Sequence, residues 1–194
     1  MKLFACLAVL LLFPALLVAE NPDVSVNPGD PAPEFEAVDA DGRVWKSSDH
    51  FGKRIVVVYF YPADMTTGCT KQACSFRDTF QELQDSGATV VGISGDSIRN
   101  HQLFRKVHSL NFRLLADEDG SIARAFGVPT REGGEISSLV DGVEETLVRG
   151  MTASRWTFIV GKDGRVIHKN TKVDAAEDGR IVLETIRQLA TVAE

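Results

Sequence analysis

The feature that most restricts the fold is a buried strand followed at once by an amphipathic helix. Residues 55–61 (IVVVYFY) form an unbroken apolar run that ends at Pro62. Such β-branched and aromatic runs are typical of strands covered on both faces of a sheet. Beyond Pro62, apolar side chains recur three or four residues apart, which is the spacing of one helix face. These side chains are Cys69, Ala73, Phe76, Phe80 and Leu83. Cys69 is therefore predicted to lie in the first turn of a helix.

Strands and helices alternate along the rest of the chain. Further strands are predicted at 34–38, 44–46, 89–93, 156–160 and 166–169, and helices at 97–108, 121–126 and 178–190. The strand-helix-strand alternation favours parallel pairing with right-handed crossovers. The sequence thus predicts the α/β class and a thioredoxin-like fold, in which a central mixed sheet carries helices on both faces. Residues 131–150 are predicted to form a polar, glycine-containing surface stretch.

The first residues differ from the domain that follows. Lys2 precedes an almost uncharged apolar run from residue 3 to residue 18, followed by Ala19. This pattern predicts a signal peptide over residues 1–19 that is cleaved after Ala19, in preference to a retained anchor. Residues 20–33 contain four prolines and are predicted to be an extended arm before a domain over residues 34–194. We therefore expect an exported protein, periplasmic or secreted, with no stable membrane span after cleavage.

Charge and residue types limit the possible partners. The net charge of −6 argues against binding to nucleic acid. None of the four histidines, His50, His101, His108 and His168, has metal-ligand spacing to a cysteine. The sequence therefore predicts no metal and no cofactor. Of the three cysteines, Cys6 falls in the predicted signal peptide, which leaves Cys69 and Cys74 as the pair where chemistry is expected.

The position of Cys69 has two interpretations. Unpaired N–H groups and the positive end of the helix dipole favour a thiolate in the first turn of a helix. The carboxylate of Asp64, which precedes this helix, would oppose that thiolate. Cysteine is also among the residues most often buried as an inert apolar side chain. The helix position alone leaves both interpretations open.

The residues around Cys69 resemble those of the peroxiredoxins. Pro62, Thr66 and Cys69 have the Pro-x-x-x-Thr-x-x-Cys arrangement of that family, and Cys74 follows Cys69 by five residues. This second spacing is similar to that of the bacterioferritin co-migratory protein or peroxiredoxin Q branch. The likeness continues through 92–94, 96–97, Phe104 and 114–117 to 155–160, and it covers roughly residue 30 to the C-terminus.

The resemblance implies a role for each residue of the site. Cys69 would be the peroxidatic thiolate that attacks a hydroperoxide, and Cys74 the resolving cysteine that forms a disulfide with it. Thr66 would hold the peroxide and the thiolate, Pro62 would screen the pocket from water, and Arg155 would be the distant basic residue. A thioredoxin-like dithiol would be the reductant. Because the resolving cysteine is internal, one reason for a dimer disappears, and a monomer is expected.

Helix geometry predicts a conformational change in such a cycle. Five residues along an α-helix separate two Cα atoms by roughly 8 to 9 Å, whereas disulfides require less than about 7 Å. We therefore expect the first turns of the helix to unwind when Cys69 and Cys74 join.

Two departures from the family and two alternative functions remain at this stage. Gln72 stands where an acidic residue is often expected, and the stretch from Thr130 to Met151 looks longer than usual. One alternative is an exported thiol-disulfide oxidoreductase of the thioredoxin type, although that chemistry uses Cys-x-x-Cys. The other is a copper-delivery protein of the same fold, with His168 as a possible third ligand. The cysteine spacing of this chain fits neither alternative.

Overall fold

The computed structural model describes residues 25–192, in which strands and helices alternate. The strands are β1 (Glu36–Asp39), β2 (Val44–Lys46), β3 (Ile55–Phe60), β4 (Ala88–Ser94), β5 (Arg113–Ala116), β6 (Thr130–Val140), β7 (Val143–Ala153), β8 (Trp156–Val160) and β9 (Val166–Asn170). The helices are α1 (Thr67–Asp85), α2 (Ile98–His108), α3 (Ser121–Ala125) and α4 (Asp178–Val192). The predicted signal peptide, residues 1–19, lies outside the described residues.

Seven of the strands form one mixed sheet in the order β2-β1-β5-β4-β3-β8-β9. The three central strands β3, β4 and β5 are parallel, whereas β8 and β1 pair antiparallel with β3 and β5. Parallel neighbours require crossover connections, and α1 and α2 supply them. The predicted α/β class and mixed sheet are thus confirmed. Strand β5 was not predicted, because its four residues are too few to show a period.

The side chains of β3 alternate between two apolar cores, one on each face of the sheet. Val56, Val58 and Phe60 belong to a core that includes residues of α3, and Val57 and Tyr59 belong to a core that includes residues of α1 and α4. All five are fully buried. The alternation explains the unbroken apolar run in the sequence, since a strand covered on both faces has no position for a solvated side chain.

Helices α1 and α4 lie side by side on one face and approach closely at one point. The backbone N–H of Gly179 donates to Ser75 Oγ at 2.9 Å. A Cβ at position 179 would collide with the Ser75 carbonyl oxygen. Glycine therefore permits the start of α4 to dock directly on the backbone of α1.

The stretch between α3 and β8, predicted as a polar, glycine-containing surface segment, is a regular hairpin whose two strands the sequence did not predict. Strands β6 and β7 pair antiparallel from Thr130↔Ala153 to Val140↔Val143. Exposed Glu, Ser and Gly residues alternate without an apolar face along much of this segment, which is why the period-2 signal of a strand was absent. The hairpin is fastened to the domain where the Gly150 N–H donates to the Gly95 carbonyl at 2.9 Å.

The described part of the predicted arm lies beside β9 and includes a turn at residues 28–30, in which the Asp30 N–H donates to the Asn27 carbonyl at 3.0 Å. The Gly29 N–H donates to the Val166 carbonyl at 2.8 Å, and the Val166 N–H donates to the Asp30 carbonyl at 2.9 Å. Val26 and Ala32 are buried, so the arm contributes to the core. Between residues 25 and 192, no helix is both long and apolar enough to cross a membrane.

Candidate active site

A short loop connects β3 to α1 and leaves the helix start open. Thr66 is the residue before α1, with an extended backbone (φ −78°, ψ 148°) and no side-chain capping bond to the helix. Its hydroxyl donates to the Ala63 carbonyl at 3.0 Å. Because Thr66 does not cap the helix, the amides of the first turn remain available to an anion at the position of Cys69.

Cys69 lies in the first turn of α1, as predicted, and is 1% exposed. Arg155 Nη2 lies 3.2 Å from Cys69 Sγ. Arg155 directly precedes β8, and the pairing of Trp156 with Phe60 places it beside the end of β3. A Cβ at Gly68 would lie 3.3 Å from Arg155 Nη2, so glycine leaves room for this approach. A guanidinium against a buried sulfur stabilises its thiolate form.

Three further side chains extend this contact into the core. Arg155 Nη1 donates to Gln72 Oε1, and Gln72 Nε2 donates to Asp178 Oδ2 at 2.7 Å. Thr157 Oγ1 donates to the same carboxylate oxygen at 2.7 Å. We call these residues, Cys69, Arg155, Gln72, Asp178 and Thr157, the sulfur network. Burial raises the pKa of Asp178 above its ordinary value, against the opposing effect of these hydrogen bonds.

Sequence reasoning found only part of the sulfur network. Gln72 was noted as a departure from the family pattern, yet it is fully buried and joins Arg155 to Asp178. Asp178 was predicted only as the first residue of a helix. Gln72 and Asp178 are 106 residues apart, so nothing local in the sequence indicates that they meet. A glutamine on the apolar stripe of a helix is the one signal that points to a buried polar partner.

A second group of polar side chains lies behind the loop. Asp64 Oδ2 is 2.8 Å from His101 Nδ1, and both side chains are fully buried. Tyr61 donates its hydroxyl to Asp64 Oδ1 at 2.7 Å. The Asp64 N–H donates to Asp96 Oδ2 at 2.9 Å. We call these four residues, Tyr61, Asp64, Asp96 and His101, the loop network.

Within the loop network, His101 balances the charge of Asp64. Burial alone would lower the pKa of His101, but the charge of Asp64 and its hydrogen bond act in the opposite direction, and the net result is a raised pKa. The Asp64 carboxylate therefore favours the protonated form of this imidazole. The sequence predicted that Asp64 would oppose a thiolate, and in the structure its carboxylate lies against His101 of α2.

The loop network holds a strained backbone. Met65, between Asp64 and Thr66, has φ of 61°, in the left-handed region that non-glycine residues seldom adopt. Such a conformation costs about 1 to 3 kcal/mol and persists only when the surroundings fix it. Asp64 supplies that restraint because three groups bind its side chain and its amide.

Cys74 and Pro62 occupy more accessible positions. Cys74 lies on α1 five residues after Cys69, is partly exposed, and both cysteines are free thiols in an unbroken helix. Pro62 lines a cleft of about 420 Å³ whose other walls come from 129–131 and 152–154. Cys69 is not among the residues that line this cleft. The described residues contain no group of three or more His, Cys, Asp and Glu side chains that could hold a metal ion.

These features of fold and site are those of a thioredoxin-like cysteine protein, and comparison with known proteins identifies the family. The sequence profile of the AhpC/TSA family matches residues 28–169. The chain belongs to the AhpC/TSA family.

Its relatives confirm the predicted branch. The chain is 50% identical over 104 residues to the chloroplastic peroxiredoxin Q of Oryza sativa subsp. japonica, which covers 54% of this chain and 48% of the relative. It is 34% identical over 167 residues to peroxiredoxin Bcp of Bacillus subtilis (strain 168), covering 86% and 99%. The crystal structure of peroxidoxin BcpB from Mycobacterium tuberculosis superposes with a TM-score of 0.69 at 32% identity, over 84% of this chain and 97% of that chain.

Two statements follow from these relatives. The chain spans about half the length of the chloroplastic relatives that it matches. The prediction of an exported protein is wrong, because the plant relatives are chloroplastic proteins. The relatives do not support the interpretation of the apolar run as an export signal.

Proposed function

We propose that this protein is a thiol-dependent peroxidase that reduces hydrogen peroxide and organic hydroperoxides to water and alcohols, as an antioxidant defence. The observation that carries the proposal is the 3.2 Å contact between Arg155 Nη2 and Cys69 Sγ at the start of α1. The sequence motif and the family support it. Cys69 is the peroxidatic cysteine, Cys74 the resolving cysteine, and Thr66, Pro62 and Arg155 complete the site.

In the first step, the Cys69 thiolate attacks the terminal oxygen of the hydroperoxide. The O–O bond breaks, Cys69 becomes a sulfenic acid, and the leaving oxygen departs as water or an alcohol after it takes a proton. A free cysteine is already about 3% ionised at pH 7, so complete ionisation gains only about thirtyfold. The larger part of the acceleration must come from donors directed at the leaving oxygen. Arg155 and the Cys69 N–H supply these donors, whereas the Thr66 hydroxyl, which donates to the Ala63 carbonyl, accepts from the peroxide O–H.

In the second step, the Cys74 thiol displaces water from the Cys69 sulfenic acid and forms a disulfide. Both cysteines belong to an unbroken α1, in which residues five apart are too distant for that bond. The first turns of α1 must therefore unwind in each cycle. A thioredoxin-like dithiol then reduces the disulfide by thiol-disulfide exchange. Since this cycle needs no second chain, we propose that the protein works as a monomer.

The cleft beside Pro62 supports a range of substrates. Its volume of about 420 Å³ accommodates the organic part of an alkyl hydroperoxide, and Pro62 and Pro129 provide apolar walls. Hydrogen peroxide needs no such space, so the cleft affects organic substrates alone.

Peroxide consumption by purified protein tests the proposal. We expect wild type to turn over with a dithiol reductant, Cys69→Ser to show no reaction, and Cys74→Ser to complete one turnover and stop as a sulfenic acid. Cys6→Ser is the matched control and should behave as wild type. A Cys69→Ser chain that still consumed peroxide would rule out the proposed nucleophile.

Oxidation should also reduce helicity. Circular dichroism and amide hydrogen exchange of residues 67–76 are expected to differ between the reduced and the disulfide forms. Identical exchange in the two forms would contradict the unwinding step and leave the peroxide step untouched.

A further inference from the structure

Asp178 is a buried carboxylate that the proposed cycle does not use. It is the first residue of α4 and is 1% exposed. Its Oδ2 accepts hydrogen bonds from Gln72 and Thr157, each at 2.7 Å, and its Oδ1 has no hydrogen-bond partner within the described residues. A carboxylate that is buried with half of its acceptors empty is costly, and stability alone gives little reason to keep it.

Helix capping does not explain Asp178 either. A carboxylate at the start of a helix is favourable when it accepts bonds from the first amides of that helix. The side-chain bonds of Asp178 instead go to Gln72 on α1 and Thr157 on β8. The backbone N–H of Gly179, in the first turn of α4, donates to Ser75 Oγ and not to Asp178. The carboxylate thus faces the sulfur network and not its own helix.

The bond between Asp178 and Gln72 fixes which end of the Gln72 amide faces Arg155. An amide group has an acceptor oxygen on one side and a donor NH₂ on the other, and a guanidinium can only donate. Because Asp178 takes the NH₂, Gln72 Oε1 faces Arg155 Nη1 and accepts from it. Without that carboxylate, the Gln72 NH₂ would lose its buried acceptor, and the side chain would no longer be anchored where Oε1 accepts from Arg155.

The other end of the guanidinium reaches the reacting atom. Arg155 is planar, so the bond at Nη1 also sets the direction of Nη2, which lies 3.2 Å from Cys69 Sγ. We propose that Asp178 is a positioning residue for the peroxide-reducing step, and that it fixes the Gln72 amide so that Arg155 is held against Cys69. This inference rests on the proposed function. Asp178 does not contact the Cys69 sulfur, and Gln72 is the side chain that joins it to the Arg155 guanidinium.

The two side-chain oxygens of Asp178 suggest a matched pair of variants. Asparagine can place its oxygen where Oδ2 lies and keep both hydrogen bonds, while its NH₂ takes the place of the unpartnered Oδ1. Alanine removes the acceptor. In a Cys74→Ser background, where the cycle stops at the sulfenic acid, the rate of Cys69 oxidation is measured by rapid quench, alkylation and peptide mass spectrometry. We expect Asp178→Ala to be about tenfold slower, as a small displacement of a catalytic group implies, and Asp178→Asn to retain at least about half of the rate.

A double-mutant cycle separates positioning from a general structural effect. On a Gln72→Met background, Asp178→Ala should change the rate less than about twofold, because the side chain that joins Asp178 to the Arg155 guanidinium has gone. A further tenfold loss on that background would overturn the proposal. Equal rates for Asp178→Ala and the parent would also overturn it, as would equal losses for alanine and asparagine.

A second variant and the activity of the parent chain separate misfolding and a failed function from a failed role of Asp178. If Asp178→Ala does not fold, Asp178→Ser replaces it, because its oxygen lies one bond closer to the backbone than Oδ2 and it suits a helix start. A parent chain that oxidises no Cys69 with hydrogen peroxide would refute the proposed function itself. An active parent with an insensitive Asp178→Ser variant would refute only the role of Asp178.

Discussion

The sulfur network and the loop network are both buried and polar, but they differ in what they touch. The sulfur network reaches the reacting atom, since Arg155 lies 3.2 Å from Cys69 Sγ. The loop network stops at Asp64 and holds the backbone before α1, with its ion pair of 2.8 Å fully buried. In the sulfur network the Arg155 guanidinium lies against the Cys69 sulfur, whereas in the loop network the His101 imidazole lies against the Asp64 carboxylate.

The difference indicates a division of roles. In the sulfur network the Asp178 carboxylate reaches Arg155 only through Gln72. The positive charge of Arg155 beside the sulfur therefore favours the thiolate and the developing charge on the leaving oxygen. A closed ion pair exerts little field outside itself, but its loss leaves a buried charge that destabilises the fold. We therefore expect substitutions in the sulfur network to change rates, and substitutions in the loop network to change stability. Three experiments follow in order of decreasing effect.

Arg155→Lys should give the largest effect on rate. Lysine keeps the charge but has no planar fork that can donate to Cys69 and Gln72 together. We expect the rate constant for Cys69 oxidation, measured by stopped flow, to fall about a hundredfold, with little change in the free energy of unfolding. Arg165→Lys, at an exposed turn where Arg165 donates to the Gly29 carbonyl, is the matched control. A near-normal rate for Arg155→Lys would show that charge alone is sufficient.

Thr66→Val should have an intermediate effect, because Thr66 lies between the two networks. Its hydroxyl donates to the Ala63 carbonyl at 3.0 Å and keeps its acceptor capacity for a peroxide O–H. Valine has the same shape without the hydroxyl, and we expect about tenfold slower oxidation of Cys69 by hydrogen peroxide. Thr66→Ser restores the hydroxyl and should recover most of the rate. Equal losses for valine and serine would assign the effect to packing.

His101→Gln should change rates least and stability in a pH-dependent way. The pKa of His101 is raised in the folded protein, so its proton stabilises the fold below the ordinary histidine pKa. That contribution is lost as the pH rises through the raised value. The difference in unfolding free energy between wild type and variant, measured by urea denaturation, should thus be larger at pH 6 than at pH 9. We expect Cys69 oxidation to stay within about twofold of wild type. A difference independent of pH would contradict the ion pair.

Local patterns predicted the part of the molecule that positions Cys69. The apolar run of β3 and the apolar stripe of α1 determine the strand-to-helix junction, and the cysteine lies within that pattern. Arg155 was recognised through the motif, because nothing in its own neighbourhood separates it from a surface arginine. The pairing of β8 with β3 explains its position after the fact.

Local sequence patterns could not predict the polar side chains that meet across long distances in the chain. His101 and Asp64 are 37 residues apart and Gln72 and Asp178 are 106 apart, and each residue has an ordinary local explanation. The β6–β7 hairpin was missed for a different reason. Its strands are held by backbone pairing between largely solvated side chains, so hydrophobic periodicity, the main strand signal, was absent.

The contact of Gly179 with Ser75 indicates which of the two cysteines changes position when α1 unwinds in the proposed cycle. This contact lies one residue beyond Cys74 and holds α1 against the start of α4. We therefore expect α1 to unwind from its N-terminal end, so that Cys69 moves while Cys74 stays in place. The reducing dithiol would then reach the disulfide at the surface position of Cys74, beside the start of α4.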